Sequence, residues 1–153
     1  MISMETFSVL DMHLGYWLRR VSNRVSGNFA RALQARQTSV AEWVMLCRLR
    51  ERPGITPKEL AEALGMTPGA VSKVIDKLEA KQWIRSARNR EDQRVRMLTL
   101  TRQGTVALPR LAEIAGGNDQ QFFDCLNAGE KATLRRLLEK LAEHHEIRDV
   151  PIE

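Results

Sequence analysis

Apolar residues recur at helical spacing over most of this chain and at strand spacing over one short stretch. Between 8 and 34, Leu10, Leu14, Leu18, Val21 and Val25 fall three or four positions apart while arginines fill the other faces. That spacing predicts one long amphipathic helix. The polar run from Gln34 to Ser39 breaks it. A second helix is expected over 40–51, with Trp43, Leu46, Cys47 and Leu49 inward, stopped by Arg52-Pro53-Gly54. Thr56-Pro57-Lys58-Glu59 then opens a short helix: a threonine cap, a proline at the first helical position and a glutamate to complete a capping box. Gly65 ends it, and Thr67-Pro68 starts the next, running to about Lys81.

The helical period is lost over 83–100. Trp83-Ile84-Arg85 and Val95-Arg96-Met97-Leu98-Thr99-Leu100 read as two strands around the polar loop 87–94, the only β structure expected. Thr101-Arg102-Gln103-Gly104 opens a long helix to about 126, which Pro109 and Gly116-Gly117 should kink or weaken. Asn127-Ala128-Gly129 breaks it, and a last helix to about His145 rests on Leu134, Leu137, Leu138 and Leu141. The pattern holds no repeats. It describes a mainly α (α+β) chain.

The middle of the pattern has the anatomy of a helix-turn-helix. Two short helices must cross steeply over a tight turn. Ala61 is small where they touch, Gly65 tolerates positive φ in the turn, and Val71 packs the second helix on the first. Leu60, Leu64, Val74, Ile75 and Leu78 complete the seam. An ordinary helical hairpin would share this apolar pattern, so charge has to decide between them.

The chain has 153 residues, 43% hydrophobic and 5% aromatic, enough for one ordinary core built on Leu, Val, Ile and Ala. Its formal net charge is +5. Residues 73–102 hold nine basic and four acidic side chains, so this one stretch carries the whole excess. A basic surface confined to a helix-turn-helix and its hairpin points to double-stranded DNA. The helix from Pro68 is then the recognition helix, entering the major groove with Thr67, Pro68, Gly69, Ser72 and Lys73 at its exposed start and Lys77 reaching phosphate. The hairpin loop becomes a wing. Arg88, Arg90 and Arg94 crowd its tip, which suits the negative potential of a narrow minor groove, and Asp92 stands two residues before Arg94, where it could fix the guanidinium in one rotamer.

Other classes fit poorly. Two cysteines and three histidines form no metal or nucleophile spacing, so no enzyme and no cofactor are expected. The N-terminus lacks a basic signal-peptide region, and no apolar run is long enough for a membrane span, so no membrane partner and a cytoplasmic location are expected.

At this point the sequence resembles the MarR family of bacterial regulators. Ala41-Glu42-Trp43-Val44-Met45-Leu46, Thr56-Pro57-Lys58-Glu59-Leu60-Ala61 and the run Val71 to Glu79 carry the likeness. Its most specific part is Glu91-Asp92-Gln93-Arg94 followed by Leu98-Thr99-Leu100-Thr101-Arg102-Gln103-Gly104, similar to the family's Asp-x-Arg wing and Leu-Thr-x-x-Gly helix start. Three departures stand out: Gln82 replaces a usual glycine, Gln93 a common arginine, and Gly116-Gly117 interrupts a helix the family keeps long. The resemblance implies one MarR-like chain over 1–153. A winged helix-turn-helix at about 40–101 would read DNA, and helices at about 8–34 and 102–147 would interleave with a second copy into an α-helical dimerisation body. It further implies a homodimer on a pseudo-palindromic operator, with recognition helices about 34 Å apart, and repression relieved by a small aromatic or anionic ligand.

For that ligand, His13, Tyr16, Trp17 and Arg20 share one helix face, and Trp43 is expected to approach them. The same residues also suit plain core packing and ion pairing. Two alternatives remain: an architectural DNA binder without effector, and a thiol-based redox regulator. The second is disfavoured because Cys47 sits among apolar neighbours and the first helix holds no cysteine. Cys125 lies near a helix end.

Overall fold

A computed structural model describes residues 9–152. The first predicted helix divides in two. A 3-10 helix spans Val9–Met12, His13 is extended, and α1 runs Leu14–Gln34. Side chains compete for the carbonyls that a continuous helix would use: His13 Nδ1 donates to the Val9 oxygen at 2.9 Å, and Trp17 Nε1 to the Asp11 oxygen at 2.8 Å. The part of the prediction at residue 8 lies outside the described residues. The next helix, α2 (Val40–Glu51), forms as expected, capped by Ser39. It buries Met45, Leu46 and Leu49, leaves Trp43 and Cys47 half-buried, and also buries Glu42, which the apolar pattern did not mark.

The helix-turn-helix comprises α3 (Pro57–Leu64) and α4 (Pro68–Ala80). Thr56 and Glu59 close a reciprocal capping box. Accepting the Thr56 N–H holds the Glu59 carboxyl below the usual carboxylate range, with Arg52 adding to the effect, so this cap is complete at neutral pH and is lost as pH falls through the lowered value. Gly65 takes φ +62° in the turn, and Ala61 and Val71 are buried where the helices meet.

Strands β1 (Ile84–Arg88) and β2 (Arg96–Leu100) pair antiparallel, with Ile84 opposite Leu100 and Arg88 opposite Arg96. β1 starts one residue later and ends three later than the pattern suggested, so the loop narrows to 89–95. The hairpin is not the only β structure. Ile55 forms a bridge to Leu98, with Leu98 N donating to the Ile55 oxygen at 3.0 Å and Gly54 N to the Leu98 oxygen at 2.9 Å. This bridge seats the wing on the turn before α3, and a single paired residue leaves no period-2 signal to read.

α5 (Arg102–Phe122) stays helical through Pro109 and Gly116-Gly117 and ends four residues earlier than expected. Leu108 and Leu111 hold it to the core, and Asn118 Nδ2 donates to the Val25 oxygen at 3.3 Å, tying α5 to α1. Packing here overrides propensity. α6 (Ala128–His144) begins at a second capping box, Asn127 with Glu130, so the predicted breaker is in fact the cap.

Gln82 and Gly104 explain one departure from the family pattern and one match. Gln82 closes the C-terminus of α4 with φ +60°: its N–H donates to the Glu79 oxygen at 2.9 Å, and Trp83 N to the Leu78 oxygen at 3.0 Å. A glycine would hold this left-handed position without a Cβ penalty. A Cβ on Gly104, by contrast, would lie 2.0 Å from the Trp83 oxygen. We predict that Gln82→Gly raises stability by about 1 kcal/mol, a melting shift of about 2–4 °C. A melting temperature unchanged or lowered by circular dichroism would refute the strain.

Candidate nucleic-acid interface

The recognition helix is fixed at its start by Thr67, whose hydroxyl accepts from Ala70 N at 3.2 Å. Val71, Ile75 and Leu78 are buried on one side. Pro68, Gly69, Ser72, Lys73 and Lys77 are all exposed on the other, as is Thr67. The sequence-predicted reading residues therefore share one solvent-facing surface. Thr67 serves as a cap there, its oxygen already engaged.

The wing tip is built by its own side chains. Asp92 Oδ1 accepts from Arg94 N at 3.0 Å, and Asp92 O from Val95 N at 3.0 Å. Asn89 Oδ1 accepts from Glu91 N at 2.8 Å, and Arg88 Nη1 reaches the Arg94 oxygen at 3.5 Å. This corrects the role expected of Asp92. It orders the loop backbone and makes no ion pair with the Arg94 guanidinium, because the short aspartate finds the nearest N–H first. Among the described residues the guanidiniums of Arg90 and Arg94 have no partner in the chain, and both are exposed. A rigid turn thus displays two unneutralised cations.

Sequence reasoning missed the link between wing and recognition helix. Glu79 Oε1, half-buried at the end of α4, accepts from Arg96 Nη2 at 2.9 Å and from Ser86 Oγ at 3.0 Å. One carboxylate oxygen therefore holds both wing strands to α4. The contact spans up to 17 residues of chain, so no local periodicity announces it.

The five predicted ligand residues do not converge. Tyr16 and Trp17 stack edge-on with centroids 6.2 Å apart, and the Arg20 guanidinium lies 5.3 Å from the Trp17 ring. His13 sits beside them, outside the helix. Trp43 instead packs edge-on with Phe29 at 6.5 Å. Phe29 lies about 18 Å further along α1 than Trp17, at 1.5 Å rise per residue. A different recess exists. A groove of about 980 Å³ opens between Arg36, Trp83 and the first turns of α5, with Arg102 and Arg110 on its wall beside Val106 and Ile114. None of its three arginines is ion-paired among the described residues, and Glu113 stands at its edge. The Cys47 thiol is pushed above its ordinary value by burial first and Glu51 second, against the opposing pull of Arg48 and Arg50. Cys125 is exposed.

A capped recognition helix, a bridged and arginine-tipped wing, and long flanking helices define a winged helix-turn-helix regulator. The MarR family model matches residues 38–95. An uncharacterised HTH-type transcriptional regulator of Bacillus cereus is 31% identical over 143 residues, covering 90% of this chain and 93% of the relative. A crystal structure of a MarR mutant from E. coli complexed with operator DNA aligns with TM-score 0.70 at 29% identity, over 84% of this chain and 92% of that one. BpsR of Bordetella bronchiseptica, whose DNA binding is regulated by 6-hydroxynicotinic acid, aligns with TM-score 0.71 at 25% identity, over 85% of this chain and 93% of that one. The chain belongs to the MarR family.

Glu79 gives a prediction whose sign separates two accounts. Removing a carboxylate beside DNA should tighten binding if only charge mattered. If Glu79 orients the wing, Glu79→Ala weakens DNA binding roughly fivefold, about 1 kcal/mol for the lost hydrogen bonds. Fluorescence anisotropy at fixed salt decides, and tighter binding by the variant removes the orienting role.

Proposed function

We propose that two copies of this chain form a homodimer that reads a pseudo-palindromic operator as a repressor, and that a small aromatic anion releases it. The observation that carries DNA reading is the ordered wing: Asp92 and Asn89 fix a turn whose Arg90 and Arg94 charges meet no carboxylate among the described residues. Such a turn is stable beside phosphates and costly without them. The recognition helix lies next to it, joined through Glu79. The operator complex of E. coli MarR supports the same use here.

Dimerisation rests on α1 and α6. The 17-residue α6 has no buried residue, and its Leu137, Leu138 and Leu141 are 42–48% exposed. On α1, Leu14 is 88% exposed, and Leu18 and Val21 also face solvent. Helices with uncovered leucine stripes gain their stability from a partner. The DNA-reading part is thus assigned to about 40–101 and the dimer body to about 8–34 and 102–147, with Trp17 packed into that body.

The effector site we assign is the groove at Trp83. One aromatic wall and the cations of Arg36, Arg102 and Arg110 suit an aromatic carboxylate. The ligand named for BpsR is of that chemical class. No helix among the described residues is long and apolar enough to cross a membrane.

Two measurements follow. Selection from random DNA should return a palindrome, and Arg94→Ala should weaken binding to it by about tenfold or more at fixed salt, since one minor-groove cation is lost. Equal affinity of variant and parent would overturn the wing assignment. In the second, salicylate-like carboxylates raise the parent's melting temperature and release operator, and Arg102→Ala abolishes both effects. A panel that neither stabilises the protein nor releases DNA sinks the effector reading.

A further inference from the structure

We propose that Glu42 and Lys81 are positioning residues for DNA reading, their ion pair setting the angle of the recognition helix and so the spacing between reading heads. The inference rests on dimeric operator reading as argued above. Glu42 lies in the first turn of α2 and is only 4% exposed. Its carboxylate is held by Ser39 Oγ at 3.3 Å and by the Lys81 ammonium. Lys81 is the C-terminal cap of α4. The same ammonium donates to the Gln37 oxygen at 2.5 Å and sits 4.8 Å from the centre of the Trp83 ring. Gln37 belongs to the turn after α1, with φ +54°. One cation therefore joins the end of the recognition helix to the junction of α1 and α2.

A buried ion pair contributes little net stability, because desolvation offsets much of the attraction. What it supplies is direction. Leu78 and Ile75 hold α4 by apolar contact, which resists separation more than rotation. Two acceptors and a ring face around one ammonium fix a bearing. Lys81 stands at the end of α4 opposite Gly69, Ser72 and Lys73, about 20 Å from Thr67 at 1.5 Å per residue. A tilt of about 10° pivoting at Lys81 would move the reading turn by about 3 Å, beyond the tolerance of base-edge contacts. The pair sits too far from the reading end to act as a DNA contact, so its influence on affinity passes through geometry. Trp83 shares both the ammonium and the groove assigned to the effector, which places the pair between ligand site and recognition helix.

The test uses DNA that the parent protein selects from a random pool. Anisotropy at fixed salt compares the parent with Glu42→Gln, Lys81→Met and the apolar pair Glu42→Met/Lys81→Met. The probes are the selected site, the same site lengthened by one base pair between its halves, and mixed-sequence DNA. Glu42→Gln removes a negative charge, so electrostatics alone would tighten every complex. Positioning predicts about a tenfold loss on the selected site, roughly unchanged affinity for mixed sequence, and a smaller penalty for the lengthened site. The apolar pair keeps the packing and should show the same loss of discrimination with its melting temperature retained. A folded variant that keeps the parent's ratio of selected to mixed-sequence affinity, and its spacing penalty, overturns the proposal. A parent that selects no sequence overturns operator reading itself, and the positioning role with it.

Discussion

Everything beyond the recognition helix depends on how closely α5 can start beside Trp83. Thr101 N donates to the Trp83 oxygen at 2.9 Å, and Thr101 Oγ1 donates to the Gln82 oxygen at 2.5 Å. The same hydroxyl accepts from Gly104 N at 3.1 Å, so one threonine ends the wing, caps α5 and ties both to the end of α4. The approach is possible only because Gly104 has no side chain, since a Cβ would collide with the Trp83 carbonyl. The Leu-Thr-x-x-Gly run thus acquires a physical reason. Its threonine supplies three hydrogen bonds and its glycine supplies the space.

This knot also sets what α5 can do. α5 leaves the reading lobe from a fixed point, buries Leu108 and Leu111 in the core, and meets α1 where Asn118 donates to the Val25 oxygen. Any change in the angle of α5 is therefore passed to Trp83 and the base of the wing, and any ligand between α5 and Trp83 presses on the same point. The charge distribution agrees with this division. The net charge of the chain lies in 73–102, on α4 and the wing, while the remainder balances. On the function proposed above, basic side chains of α4 and the wing face phosphate, and the neutral remainder is free to bury apolar stripes against a second copy.

Most of the fold was legible because its elements are capped by sequence-local chemistry. Thr56 with Glu59, Thr67, Thr101 and Asn127 all accept from the N–H three residues on, which is a spacing a reader can see. Helix interiors were read from apolar period, and the reading surface from charge. What escaped notice was tertiary. The Ile55–Leu98 bridge, the Glu79 clamp on Arg96 and the Glu42–Lys81 pair join residues 17 to 43 positions apart, and a buried glutamate in the first turn of a helix looks like a solvated one. Asp92 was located correctly and misassigned in role, because a side chain two residues from an arginine can hold either its guanidinium or its N–H. The ligand residues are the hardest to read from sequence. Aromatic and basic side chains at helical spacing look alike whether they line a pocket or a dimer seam, and only the placement of Trp43 against Phe29 separates them.

The uncovered stripe on α6 has a consequence for how DNA reading and assembly are joined. A helix with no buried residue contributes exposed apolar area to the lone chain, and that area becomes stabilising only when a second copy covers it. Folding of the outer body and dimerisation are then one transition, dependent on protein concentration. The reading lobe differs, because Leu46, Leu60, Ile75, Leu78 and Leu98 are fully buried within a single chain. Leu33 of α1 and Leu108 and Leu111 of α5 join the same buried cluster, so the inner ends of the body share this core. On the assembly proposed above, the shared core orders the reader within one chain, and pairing covers α6. The proposed reader and body then meet at Trp83, whose ring faces the Lys81 ammonium and whose oxygen accepts from Thr101 N at the start of α5.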